Sequence, residues 1–166
     1  MECLQPESPC VDAGTDYVEY NGEVIFELSM ANVDKPDLSI EETNIRINQI
    51  FGRFPIITTR ADTFNKKAKL FPGCVFVVGF DTALRIIDPK YYEHNVDNMI
   101  NQLTEIKELK CSFLIAARYI DGSLLTVKDL KVPKMFDDMF YELPVELFRE
   151  DISSTEIRIN SLDKEY

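Results

Sequence analysis

Apolar and polar positions follow two periods along this chain. Period-two alternation in "DYVEYNGEVIFELSM" gives two strand-like runs around Asn21-Gly22. That dipeptide tolerates the positive φ angles of a two-residue turn, so an N-terminal antiparallel hairpin is predicted. Pro36 and its polar neighbours in "ANVDKPD" stop the second strand. Ser39 and Glu42 form a capping-box pattern, and Ile40, Thr43, Ile47, Ile50 and Phe51 share one helical face, which predicts an amphipathic helix over 39–51. "PIITT" reads as a short β-branched strand and "RADTFNKKAKLF" as a helix. "CVFVVGF" is continuously apolar, as a central strand covered on both faces must be.

Further along, "TALRIID" and "NVDNMINQLTEIKEL" predict helices, the second with Val96, Met99, Ile100, Leu103 and Ile106 at helical spacing. "SFLIAARYI" and "SLLTV" flank Asp121-Gly122, a second hairpin signal, and "MFYELP" reads as a last strand before "ISSTEIR". Strands alternating with helices predict an α/β fold with a mainly parallel, doubly wound sheet and helices on both faces. Ligands of such sheets bind at the carboxyl ends of the strands. Residues 1–16, without periodicity, read as a flexible leader to a single domain over 17–166.

The net charge of −11 gives a repulsive average field to polyanions, which argues against nucleic acid as a partner. A small phosphate ligand is still compatible, because helix N-termini and Mg2+ supply positive charge locally. The longest apolar run is far too short to span a bilayer, and the start "MECLQPESPC" lacks the pattern of a secretory signal, so a cytoplasmic protein without membrane association is expected. Four cysteines without CxxC spacing, with a single histidine, make a zinc site improbable; they read as free thiols in a reducing compartment. His94, in the loop "YYEHNV", has no nucleophile or metal ligand beside it in sequence and reads as a surface residue. The basic cluster Arg60, Lys66, Lys67 and Lys69 reads as a solvated helix face.

Two stretches carry candidate chemistry. Gly79, after an apolar strand, allows a ligand close to the backbone, and Asp81 is suited to a ribose, a base amine or Mg2+, or alternatively to capping a helix from Thr82. In "DISSTEIR", Ser153 and Glu156 form a capping box, whereas Ser154, Thr155 and Arg158 add two hydroxyls and a guanidinium where a helix N-terminus favours an anion.

The blocks "FELSMANVDKP", "ITTRADTFNKKAKLFPGCVFVVGFDTALRIIDPKYY" and "ISSTEIR", in that order over roughly residues 24 to 159, resemble the cytidylyltransferase-like, nicotinamide-mononucleotide-adenylyltransferase-like nucleotidylyltransferases. The resemblance implies a Rossmann-like fold. It also implies transfer of a nucleotidyl group, here adenylyl, from ATP to a mononucleotide-type phosphate acceptor, with release of pyrophosphate and Mg2+ on the triphosphate. By the same resemblance Ser154, Thr155 and Arg158 contact the triphosphate, and Gly79 and Asp81 line the nucleotide pocket.

The chain departs from that family at its start. The family's first strand leads into an HxGH motif, and a chain with one histidine cannot contain it. The catalytic residues are therefore unassigned, and a catalytically inactive nucleotide-binding or interaction module, prone to self-association, is the alternative. Loss of that central strand leaves a gap of two strand spacings, roughly 10 Å. Tyr17 to Tyr20 is predicted to fill it, antiparallel to "VIFELSM".

Overall fold

A computed structural model describes residues 2–6, 10–11, 18–19, 22–31, 33, 36–120 and 122–145. In chain order the elements are β1 (Glu2–Pro6), β2 (Cys10–Val11), β3 (Val18–Glu19), β4 (Gly22–Ser29), α1 (Ile40–Ile50), β5 (Ile56–Thr59), α2 (Phe64–Leu70), β6 (Val75–Gly79), α3 (Phe80–Ile86), α4 (Val96–Glu108), β7 (Ser112–Ala116), β8 (Arg118–Ile120), β9 (Ser123–Leu125) and β10 (Phe140–Leu143). Single turns of 3-10 helix lie at Pro89–Tyr92 and Val127–Asp129, and a longer one at Lys134–Met139. The fold is mixed α/β.

Six strands form one sheet in the order β10-β7-β6-β1-β4-β5. β10, β7 and β6 run parallel to one another, as do β4 and β5. β1 is antiparallel to both of its neighbours, with Glu2 opposite Phe26 and Val77, and Pro6 opposite Gly22. A reversed strand does fill the central slot, but it is Glu2–Pro6 and not Tyr17–Tyr20, and residues 2–6 belong to the sheet instead of a leader. Val18–Glu19 pairs with Cys10–Val11 in a separate two-stranded ribbon and not with β4 as the predicted hairpin requires. The local turn signal loses to a pairing that satisfies backbone groups on two open strand edges at once. Pro6 sits at the strand's end, where a missing N–H costs least.

The later elements follow the pattern. Ser39 accepts from the Glu42 amide while the Glu42 carboxylate accepts from the Ser39 amide, closing the box that starts α1. β8 and β9 pair in a hairpin that turns at Gly122, whose φ is +82°. The main core lies on one face of the sheet, where Phe76, Phe113, Ile115 and Phe140 meet Ala68 of α2, Ala83 and Ile86 of α3, and Met99, Leu103 and Ile106 of α4. Phe113 stacks on Phe140 at 5.0 Å and meets Phe64 edge-on at 5.4 Å. A smaller cluster around Val75 and Leu114 covers the other face. Cys74, buried ahead of β6, is disulfide-bonded, which corrects the expectation of free thiols; Cys111 is free and buried. No helix among the described residues is long and apolar enough to cross a membrane.

Candidate functional site

A cavity of about 370 Å3 opens at the carboxyl edge of the sheet. Its floor is the end of β6, Val77 to Gly79. One wall is the turn after β5 and the start of α2, from Asp62 to Lys67. The other is Thr82, Arg85 and Ile86 of α3 with Tyr91 and Tyr92, and Gln102 of α4 and Val33 complete it. This is the place where an open α/β sheet holds its ligands, because the strands on either side of β1 run on to helices leading in opposite directions.

Gly79 is the residue of this site most visible in the sequence. Its backbone is extended, with φ −73° and ψ 158°, and a Cβ built on it would meet nothing within 4 Å. The protein therefore leaves open space above Gly79. Gly79 is also the N-cap of α3, without a side-chain bond, so Asp81 falls in the first helical turn and does not cap a helix from Thr82. The Asp81 carboxylate pairs with Arg118 of β8, and Asp81 is not among the residues that line the cavity. Ser154, Thr155 and Arg158 lie outside the described residues. His94 is exposed, in a left-handed turn with φ 56°, away from the cavity lining.

Lys67, expected on a solvated helix face, is instead buried and forms half of an ion pair at the cavity. Glu27 of β4 and Lys67 of α2 are each 7% exposed, and Lys67 Nζ donates to Glu27 Oε2 at 2.8 Å. The Thr59 hydroxyl donates to the other Glu27 oxygen, and the Ala61 amide donates to Thr59 Oγ1 at 3.2 Å. Ser29 Oγ, 2.8 Å from the carbonyls of Ala31 and Ala61, ties the end of β4 to the turn after β5. The signal available was Glu27 itself, a lone acid inside the apolar run "VIFELSM", since a buried carboxylate calls for a cation somewhere in the fold. Its partner lies 40 residues away and comes beside it through folding alone.

The other members of the basic cluster are paired too: Arg60 with Asp37, Lys66 with Asp62 and Lys69 with Glu105. Asp62, on the cavity wall, accepts from Lys66 Nζ at Oδ2; its Oδ1 is buried 2.7 Å from the same ammonium without a well-directed hydrogen bond. Lys69 and Asn65, donating to Glu105, hold its carboxyl below the usual carboxylate range. Tyr92 donates its hydroxyl to the Ile86 carbonyl at 2.7 Å, and burial pushes its phenol up to about 12, so it stays neutral. Burial likewise raises the Cys111 thiol, which keeps it protonated and a poor nucleophile. No group of three or more His, Cys, Asp or Glu among the described residues is placed to hold a metal ion.

No family model matches this chain, and neither a curated protein nor a solved structure matches it.

Proposed function

We propose that this chain is a nucleotidylyltransferase-like protein of Rossmann-like fold that holds a nucleoside phosphate in the cavity at the end of β6, as a binding module and not as an efficient transferase. The observation that carries this reading is the cavity's place, at the carboxyl edge beside a glycine with open space above it. Its volume, about 370 Å3, falls at the small end of the usual range for small-molecule sites and suits one mononucleotide. The resemblance of residues 24 to 159 supplies the reaction class: adenylyl transfer from ATP to a mononucleotide acceptor, with pyrophosphate leaving. In-line transfer of this kind rests on positioning and charge neutralisation and needs no protein nucleophile.

Two features favour binding over turnover. The chain has one histidine, so the paired histidines of HxGH are absent. β1 also runs backwards, with Glu2 at the cavity edge and Pro6 at the opposite edge. A lost donor to the transferring phosphate costs about two to three orders of magnitude in rate. Mg2+ enters with the triphosphate in this reading, Asp62 being the carboxylate on the cavity wall. Ser154, Thr155 and Arg158 would contact the triphosphate.

Self-association through the outer edge of β5, beside exposed Phe51 and Phe54, belongs to the same reading. A cytoplasmic location goes with it as well, although the disulfide at Cys74 counts against a reducing compartment. Calorimetry with ATP, with and without Mg2+, on the wild type and on Thr155→Ala/Arg158→Ala tests the proposal. Binding is expected in the wild type and should weaken at least about tenfold in the double variant. A folded wild type that binds no ATP would overturn it.

A further inference from the structure

The inner wall of the cavity carries a cation whose charge is already balanced but whose hydrogen bonds are not all used. A buried ion pair is a poor stabiliser, since a well-packed apolar pair serves as well or better. Lys67 and Glu27 are nevertheless both buried, and Lys67 faces the cavity. Two contacts fix its ammonium. Glu27, held from behind by the Thr59 hydroxyl, accepts from it at 2.8 Å, and the Phe64 ring lies with its centroid 5.5 Å from Nζ. An ammonium carries three donors, and Glu27 is its acceptor among the described residues.

The balanced charge decides which ligand atom suits that ammonium. A full anion drawn to Nζ would also meet the Glu27 carboxylate on the ammonium's other side, in surroundings of low dielectric. A neutral carbonyl oxygen takes the same N–H without that repulsion. Asn65, on the same wall, supplies the complement. Its Nδ2 donates to Glu105 Oε2 at 2.8 Å and to the Gln102 carbonyl at 3.4 Å, which leaves its carbonyl oxygen as the hydrogen-bonding atom for a ligand.

We infer that the inner end of the cavity reads a lactam edge, a ring carbonyl beside a ring N–H as in a 6-oxopurine, with Lys67 as the specificity-determining donor and Asn65 as the acceptor. This rests on the nucleotide reading above and narrows it: the cavity takes the base of the acceptor mononucleotide. Adenine presents an amino group beside an unprotonated ring nitrogen, the opposite polarity, and is disfavoured there.

The test is the affinity of the full chain for inosine 5′-monophosphate and for adenosine 5′-monophosphate, which differ in this edge. The wild type should bind the inosine nucleotide at least about tenfold more tightly. Lys67→Met should bring the two affinities to within about threefold. Glu27→Gln/Lys67→Met, which leaves no buried charge unpaired and so keeps the fold, should do the same. A merely structural role for Lys67 would weaken both nucleotides alike and leave their ratio unchanged. Equal affinities in the wild type, or a ratio that survives the double substitution, would overturn the inference and leave the nucleotide reading standing. Binding of neither nucleotide by the folded wild type would overturn both.

Discussion

The two halves of the sheet are built from similar patterns and end up differently packed. On the β6–β7–β10 side the helical stripe of α4 buries Met99, Leu103 and Ile106 against Phe76, Phe113 and Phe140. On the β4–β5 side the stripe of α1 buries Thr43, while Ile40 and Phe51 are 75% and 74% exposed and Ile45 and Phe54 are exposed as well. Periodicity therefore specifies that a helix forms and which way its apolar face points, but a packing partner decides whether that face is buried. The cavity lies at the seam, and Glu27 from the loose half meets Lys67 from the helix that crosses over to the dense one.

That contrast can be broken by substitution. Phe113→Ala should cost about 3–5 kcal/mol in a urea titration, as a cavity in a close-packed aromatic cluster does. A cost below about 1 kcal/mol would contradict the dense packing assigned to that half. Lys67→Met, which leaves the Glu27 carboxylate buried and unpaired, should cost about 3–5 kcal/mol, and Glu27→Gln/Lys67→Met should recover most of it. Equal losses in the single and double variants would mean that the side chains act across the seam by packing, not by charge.

A smaller, pH-dependent effect sits on the dense side. The Tyr92 phenol is raised to about 12 by burial, so the folded state holds its proton where the unfolded state has lost it. Its contribution is complete below the unfolded value near 10 and is lost as pH rises towards 12, by up to about 3 kcal/mol. Tyr92→Phe should flatten the stability curve between those pH values relative to the wild type; parallel curves would contradict the burial. The smallest effect belongs to the loose half: Ile45→Ala should change stability by less than about 1 kcal/mol, and amides of α1 should exchange ahead of those of α4.

What the sequence made legible follows the range of the interactions involved. α1, with its capping box, and α4, with its apolar stripe, are encoded within a dozen residues and appear within a residue or two of their expected ends. The need for a reversed strand in the central slot was legible from the gap. Its identity was not, because the strand state of Glu2–Pro6 comes from β4 and β6, two distant partners, and not from any local pattern. The site divides in the same way. Gly79 was readable from one strand and its end, whereas Glu27 and Lys67, on separate elements, become a pair in the folded chain alone. Val96 shows the limit from the other side: it keeps the apolar spacing of α4 and is exposed, since the first turn of that helix overhangs the core.

The most direct test of the nucleotide site uses the open space above Gly79. A valine side chain there starts in a region where no protein atom lies within 4 Å, so Gly79→Val should leave the unfolding midpoint nearly unchanged while occupying the floor of the cavity. Calorimetry with inosine 5′-monophosphate on both proteins should then show binding by the wild type and affinity at least about tenfold weaker in the variant. Unchanged affinity in a folded Gly79→Val protein would place the ligand elsewhere and contradict the assignment of this cavity.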